Sequence, residues 1–298
     1  FFRDGGFSDP ARAREHLDKA LAEDPDDPRI LLHRAVARNQ LGETDGALAD
    51  LGRALELNPE MPDAMLLKGM MLQAKGSHQE AIAAFHRALD LDPQYVTAWD
   101  GIGTSYGALG RYGEADAAFT QALSMAPASK IVYLHRALAR SLDGRRSAAL
   151  ADLTIAVGLS PGDGAVFRER ARLRLDAGDH AGAIADLEQA RELLPGDSAS
   201  RLLLAQVLAS TGDAALANPD WALDLVREAA AIDGGMRPEH KDARARALAR
   251  LGRFEQAARV QQEALDALDE GDPRRTGYAQ RLELYESGRM FLMLPDEG

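Results

Sequence analysis

The sequence contains no cysteine, only five lysines against 30 arginines, 5% aromatics, and no apolar run approaching the roughly 18 residues that span a bilayer. Two of these shortages exclude whole classes. Without cysteine there are no disulfides, no thiol catalysis, no iron–sulfur cluster and no zinc-finger chemistry. Without a long apolar run there is no transmembrane helix, and the formal charge of −12 repels phosphate, which argues against nucleic acid and anionic membranes as partners. At 46% hydrophobic residues the chain still has ample material for a core, so it is neither disordered nor fibrous. The 298 residues alone would suggest about two domains.

An internal repeat overrides that expectation. Prolines fall at Pro25, Pro59, Pro93, Pro127, Pro161 and Pro195, each 34 residues after the last, in a chain with only 13. Glycines keep the same interval at Gly42, Gly76, Gly110, Gly144, Gly178 and Gly212, each after a stretch with helical apolar spacing. They read as left-handed caps at helix C-termini. Alanines recur at Ala47, Ala81, Ala115, Ala149 and Ala183, and again at Ala54, Ala88, Ala122, Ala156 and Ala190. Small residues at fixed phase mark close helix crossings. The unit is helix A, a turn at Gly, helix B, and a Pro that ends helix B.

This pattern resembles the tetratricopeptide repeat, whose period is 34 residues. The third unit carries it most fully, with Trp99, Ile102-Gly103, Tyr106, Gly110, Ala115, Phe119, Ala122 and Pro127. The second follows with Met65, Gly69, Leu72, Gly76, Ala81, Phe85, Ala88 and Pro93. The resemblance implies an all-α, right-handed superhelical solenoid of antiparallel helix pairs, with about seven repeats and a C-terminal capping helix. Residues 1–27 hold the B helix of a partial first repeat, beginning at Ser8-Asp9-Pro10. Regular units follow at 28–61, 62–95, 96–129, 130–163 and 164–197. Three of them place Arg38, Arg140 and Arg174 where the family has Tyr, which predicts more polar A helices. The next turn glycine after Gly212 is Gly252, 40 residues on. Residues 198–236 are therefore an irregular sixth repeat, with the extra residues around Asp213 to Pro219 and near Gly234-Gly235. Residues 237–270 form a seventh repeat, and 271–298 a capping helix and tail.

The family's concave wall is built from positions 2, 5, 9, 12 and 13 of each A helix. By that register the groove presents Leu32, Val36 and Asn39, then Leu66, Met70 and Gln73, an apolar floor with amide edges. Asp100 and Thr104 follow beside Gly107 and Ala108, where a ligand backbone could approach closely. Leu134 and Leu138 restore an apolar stripe with Ile131 and Leu142. Arg168 and Arg172 then lie one turn apart on one face, and Gln206, Arg246 and Arg250 come next. An apolar groove ending in guanidinium groups implies a protein partner, supplying an extended peptide or helix with apolar and acidic groups. Arg168 and Arg172 have a second reading as surface residues paired with Glu169, Asp176 or Glu188, and the leucines a second reading as core. The family's chaperone-tail site needs Lys, Asn, Asn, Lys and Arg across three consecutive units, and no three units here carry that set.

The seven histidines show no metal-ligand spacing, and Gly101 to Gly107 lacks the strand and final glycine of a nucleotide loop. No nucleophile motif is present. The sequence therefore predicts a non-enzymatic protein-interaction scaffold without cofactor or metal, placed in the cytoplasm. The alternative is the regulatory or targeting tail of a larger bacterial multidomain enzyme such as a kinase, because the chain opens at Phe1 in half a repeat. Self-association through a bare solenoid end, including Phe1 and Phe2, is a further expectation.

Overall fold

The structure, a computed structural model, describes residues 7–293; Phe1 and Phe2 lie outside the described residues. The described residues form sixteen α-helices, and the β-pairing among them is a single isolated bridge between Thr211 and Met293. The chain divides into two compact units, residues 1–149 and 150–298. In the first, α1 (Pro10–Glu23) precedes three pairs: α2 (Pro28–Gln40) with α3 (Thr44–Leu57), α4 (Pro62–Ala74) with α5 (His78–Leu91), and α6 (Val96–Ala108) with α7 (Tyr112–Met125). The first unit also contains α8 (Lys130–Leu142), and α9 (Arg146–Leu159) spans the division. In the second unit α10 (Gly164–Asp176) pairs with α11 (His180–Leu193), α12 (Ser198–Ser210) with α13 (Pro219–Ile232), and α14 (Pro238–Arg250) with α15 (Phe254–Asp266). The last helix, α16 (Arg275–Glu286), packs on α15. This is the all-α architecture of helix pairs that the sequence predicts.

The turns explain the glycine spacing. Gly42, Gly76, Gly110, Gly144, Gly178 and Gly252 all sit at φ between +72° and +78°, the left-handed region. At the first of them Glu43 N donates to Arg38 O at 2.9 Å and Gly42 N to Asn39 O at 3.0 Å, which closes the helix end in a Schellman motif. Gly212 departs from the expectation. There α12 exits in extended conformation at Thr211, with φ −59° and ψ 140°, and Gly212 has no positive φ. The reason is length: residues 211–218 reach α13 over a long connection, so no tight reversal is needed. The connection ends where Asn218 caps α13 by accepting from Trp221 N at 3.1 Å, with Pro219 in the first turn.

The periodic alanines are the crossing points. Ala47, Ala54, Ala81, Ala88, Ala115, Ala122, Ala183 and Ala190 are all fully buried. Glycine does the same work against the two large aromatic rings. A Cβ on Gly69 of α4 or Gly101 of α6 would stand 2.6 Å from the Phe85 ring, and one on Gly103 would stand 2.6 Å from Phe119. Phe85 is thus clasped between two successive A helices. Gly103→Leu is expected to overpack this contact and cost about 1 to 3 kcal/mol in urea unfolding. An unchanged unfolding midpoint would show that Phe119 swings clear.

Arg38 and Arg174 are half-buried and are not solvated. In the first regular pair Asp50, which is buried, receives Arg34 in a fork at 2.7 and 2.8 Å and Arg38 at 2.8 Å. Arg38 also donates to the carbonyl of Gly46 at 3.1 Å. The α10–α11 pair repeats the arrangement: Arg170 grips buried Asp186 at 2.6 and 2.9 Å, Arg174 meets it at 2.8 Å, and Arg174 donates to Gly182 O at 2.8 Å. In the α6–α7 pair the corresponding positions hold Ile102, Tyr106 and Ala118. The same slot in the fold is therefore filled in two ways, by an ionic clasp or by an aromatic one.

Candidate peptide-binding faces

In the first unit α4 packs beside α6 and α6 beside α8, so their outward faces form a common surface. The register places its candidates there unevenly. Leu32 and Leu66 are buried in the cores of their own repeats and offer no groove floor, and Val36 packs against the first of these cores. Asn39 is exposed, and Met70 is 45% exposed. Gln73 Nε2 donates to Gly101 O at 3.2 Å, tying α4 to α6. Thr104 is exposed, with its hydroxyl donating to Asp100 O at 2.9 Å. Leu134 is half-buried, whereas Leu138 is 61% exposed and Leu142 56%.

Between α6 and α8 these residues enclose a depression of about 290 Å³ lined by Gly103, Thr104, Gly107, Ala108, His135, Leu138 and Leu142, among others. A Cβ added at Gly107 would meet nothing within 4 Å, so the floor there is open. One edge is polar. His135 Nδ1 donates to Asp100 Oδ1 at 2.8 Å, and that bond raises the imidazole pKa above its ordinary value although burial opposes it. Because the folded-state pKa is the higher one, the contribution of the pair to stability is full below the unfolded pKa and is lost as pH rises through the folded one.

In the second unit Arg168 is committed to a partner: its Nη1 lies 2.9 Å from Asp197 Oδ2, and Nε lies 3.8 Å from Glu169. Asp197 also caps α12 by accepting from Ser200 N at 3.1 Å. Arg172 is exposed and has no ion pair among the described residues. Gln206 is half-buried. Arg246 is buried, its guanidinium 2.9 Å from Asp242, which also receives Gln261 at 3.0 Å and Arg281 at 2.7 Å. Among the described residues no group of three or more acidic or histidine side chains could hold a metal ion, and no helix is long and apolar enough to cross a membrane.

Comparison with known proteins agrees with the helix-pair geometry. Two family models described as tetratricopeptide repeats match the chain, one over residues 40–96 and 101–164, the other over 6–49 and 174–218. The chain belongs to the tetratricopeptide-repeat family. A search of curated proteins returns no match. Among solved structures, a tetratricopeptide repeat protein from Parabacteroides merdae is 16% identical, with 93% of each chain covered and a TM-score of 0.55. Yeast Tom70 is 17% identical with a TM-score of 0.56, over 93% of this chain and 59% of its own. YrrB, described as a TPR protein with an unusual peptide-binding site, is 21% identical over 61% of this chain and 94% of its own, with a TM-score of 0.52. At these identities the likeness concerns the fold.

One feature of this TPR chain escaped the reading of its register. Met290 to Met293, beyond α16, return to the A helices of the second unit. Met293 N donates to Ser210 O at 2.7 Å, beside the parallel bridge from Met293 to Thr211. Phe291 lies under two guanidiniums, with Arg246 Cζ 5.0 Å and Arg281 Cζ 5.4 Å from its ring centre. Arg250 Nη1 reaches Met290 Sδ at 3.6 Å. The available signal was the run Met290-Phe291-Leu292-Met293-Leu294, five apolar residues that begin two positions after the helix-ending Gly288. Such a run needs a surface to cover it.

Proposed function

We propose that this TPR chain is a non-catalytic scaffold that holds an extended peptide of a partner protein on the α6–α8 face. The observation that carries the reading is the depression itself: Thr104, Gly107 and Ala108 leave room for a backbone beside Leu138 and Leu142, whose side chains are left to water. Two exposed leucines one turn apart, with Ile131 also 56% exposed two turns before Leu138, form an apolar stripe that a peptide's side chains can cover. Met70 extends the apolar surface on α4 with a side chain able to adapt to irregular shapes. The Asp100–His135 pair closes one edge of the depression. The peptide-binding site ascribed to YrrB, on the same fold, is consistent with this use of a TPR surface. Arg172, exposed on α10, is offered for an acidic group of a partner, while Arg168 is held by Asp197.

A scaffold fits better than an enzyme because titratable groups that meet here are spent on one another. Asp100 faces His135, and Asp116 is gripped by Arg140 at 2.7 Å and Arg145 at 2.9 Å, which leaves neither carboxylate free for proton transfer. The test uses random twelve-residue peptides displayed and selected on the full chain. Leu138→Glu with Leu142→Glu is expected to weaken the selected peptides about tenfold or more. Both leucines are solvent-facing, so the melting temperature should barely move. Peptides that bind the double variant as well as the parent, or a selection that yields no binder, would overturn the reading.

A further inference from the structure

The second unit carries a site of its own, and the chain supplies its occupant. By register Ser210, Arg246 and Arg250 are groove positions, and all three are touched by residues 290–293. The contacts are those by which a solenoid face would hold a foreign segment: a backbone hydrogen bond to Ser210, an aromatic ring on a cationic clamp, and an apolar side chain against an arginine. The clamp is built before the ring arrives. Asp242, a buried residue of α14, fixes Arg246 by a double contact at 2.9 and 3.0 Å and Arg281 at 2.7 Å. Arg281 in turn stacks on Tyr278 at 5.1 Å. The guanidinium planes are therefore oriented by side chains that belong to the core, and Phe291 is added onto them from outside.

The charge is unbalanced in a direction that names the ligand. Among the described residues Asp242 is the only carboxylate paired with Arg246, Arg250 or Arg281, which leaves the face with surplus positive charge in an otherwise acidic protein. In sequence the tail continues into Leu294, Pro295, Asp296 and Glu297. The hold on the tail is also slight. Among residues 290–293 the backbone hydrogen bond from Met293 is the one made to another element, Met290 is 39% exposed, and Phe291, Leu292 and Met293 are each only partly covered.

We propose that the α12–α14–α16 face is a binding site for a partner segment with an aromatic residue among aliphatic ones, followed by carboxylates, and that Met290 to Met293 fill it in cis until such a segment displaces them. The inference does not rest on the α6–α8 reading, since it uses a different unit and a different chemistry. An intramolecular tail competes at an effective concentration in the millimolar range, so an outside peptide meets a site already occupied.

The probe is a fluorescein-labelled peptide of residues 288–298, Gly-Arg-Met-Phe-Leu-Met-Leu-Pro-Asp-Glu-Gly, titrated into the full chain. Phe291→Ala in the protein weakens the resident tail and is expected to raise affinity for the peptide at least tenfold over the parent. A peptide with Ala in place of Phe should bind neither protein. Met293→Pro releases the tail a second way, by removing the amide that bonds Ser210, and should raise peptide affinity in the same direction even if Phe291→Ala folds poorly. Leu138→Glu should leave this binding unchanged, which separates the site from the α6–α8 face. Amide exchange at Met293 in the parent is expected to be far faster than in the α14 core. Equal peptide binding by parent and both variants, or a Met293 amide as protected as α14, would show that the tail is a fixed part of the fold and overturn the proposal.

Discussion

Asp242→Ala is expected to cost about 3 to 5 kcal/mol, because the substitution strands two guanidiniums and an amide that one buried carboxylate now satisfies. Asp242 accepts from Arg246, Arg281 and Gln261, and it lies at the junction of α14, α15 and α16. The effect is one-sided in origin. The ion pairs themselves repay the desolvation of their members only in part, but a lone arginine left nearly buried has no repayment at all. Urea unfolding followed by circular dichroism measures it, and the loss should appear as early melting of the second unit, since repeats unfold in segments when a local interface fails. A loss under 1 kcal/mol would show that both arginines turn out to solvent without hindrance.

The second large effect tests whether the two clasps are equivalent. Asp186→Ala alone should cost about 3 to 5 kcal/mol, by leaving Arg170 without its carboxylate and Arg174 with only Asp179 at 3.5 Å beneath α11. Combining it with Arg170→Ile and Arg174→Tyr copies the residues found at the same positions of the α6–α7 pair, Ile102, Tyr106 and Ala118. The triple variant should regain most of the lost stability and could exceed the parent, since well-packed apolar groups commonly match a buried ion pair. A triple variant no more stable than Asp186→Ala would mean that the local backbone of α10 and α11 has diverged from that of α6 and α7.

What the sequence disclosed followed from what repeats with the chain. The turn glycines were legible because a left-handed φ admits few other residues, and Asn218-Pro219 because capping chemistry is local. The alanines were legible because close crossings tolerate only small side chains. The ionic clasps were half-legible. Arg38 and Arg174 stood out as departures, yet their partners Asp50 and Asp186 sit 12 residues on in the next helix, and only pairing the two columns of the repeat would have joined them. Leu32 and Leu66 were read as groove floor because a register gives direction along a helix face but not depth. The returning tail was beyond that reading altogether, since it obeys no period. The tail meets the extended stretch that the long connection after α12 allows, where Thr211 is the bridge partner of Met293.

The alternation of clasps bears on how such a chain finds its register while folding. Repeats of one length and similar composition invite the wrong helix to dock on the wrong neighbour, and repeat proteins misassemble by this route. Were α2 to settle on α5, Arg34 and Arg38 would face Ala84 where Asp50 should be, two charges entering a core with no counter-ion. Were α6 to settle on α11, Tyr106 and Ile102 would leave Asp186 unpaired. Either mismatch forfeits several kcal/mol, comparable to the stability of a single repeat interface. The arginine and aspartate columns thus act as a lock and key between helices of one pair, and they keep ionic pairs from docking on apolar ones before the full array has formed.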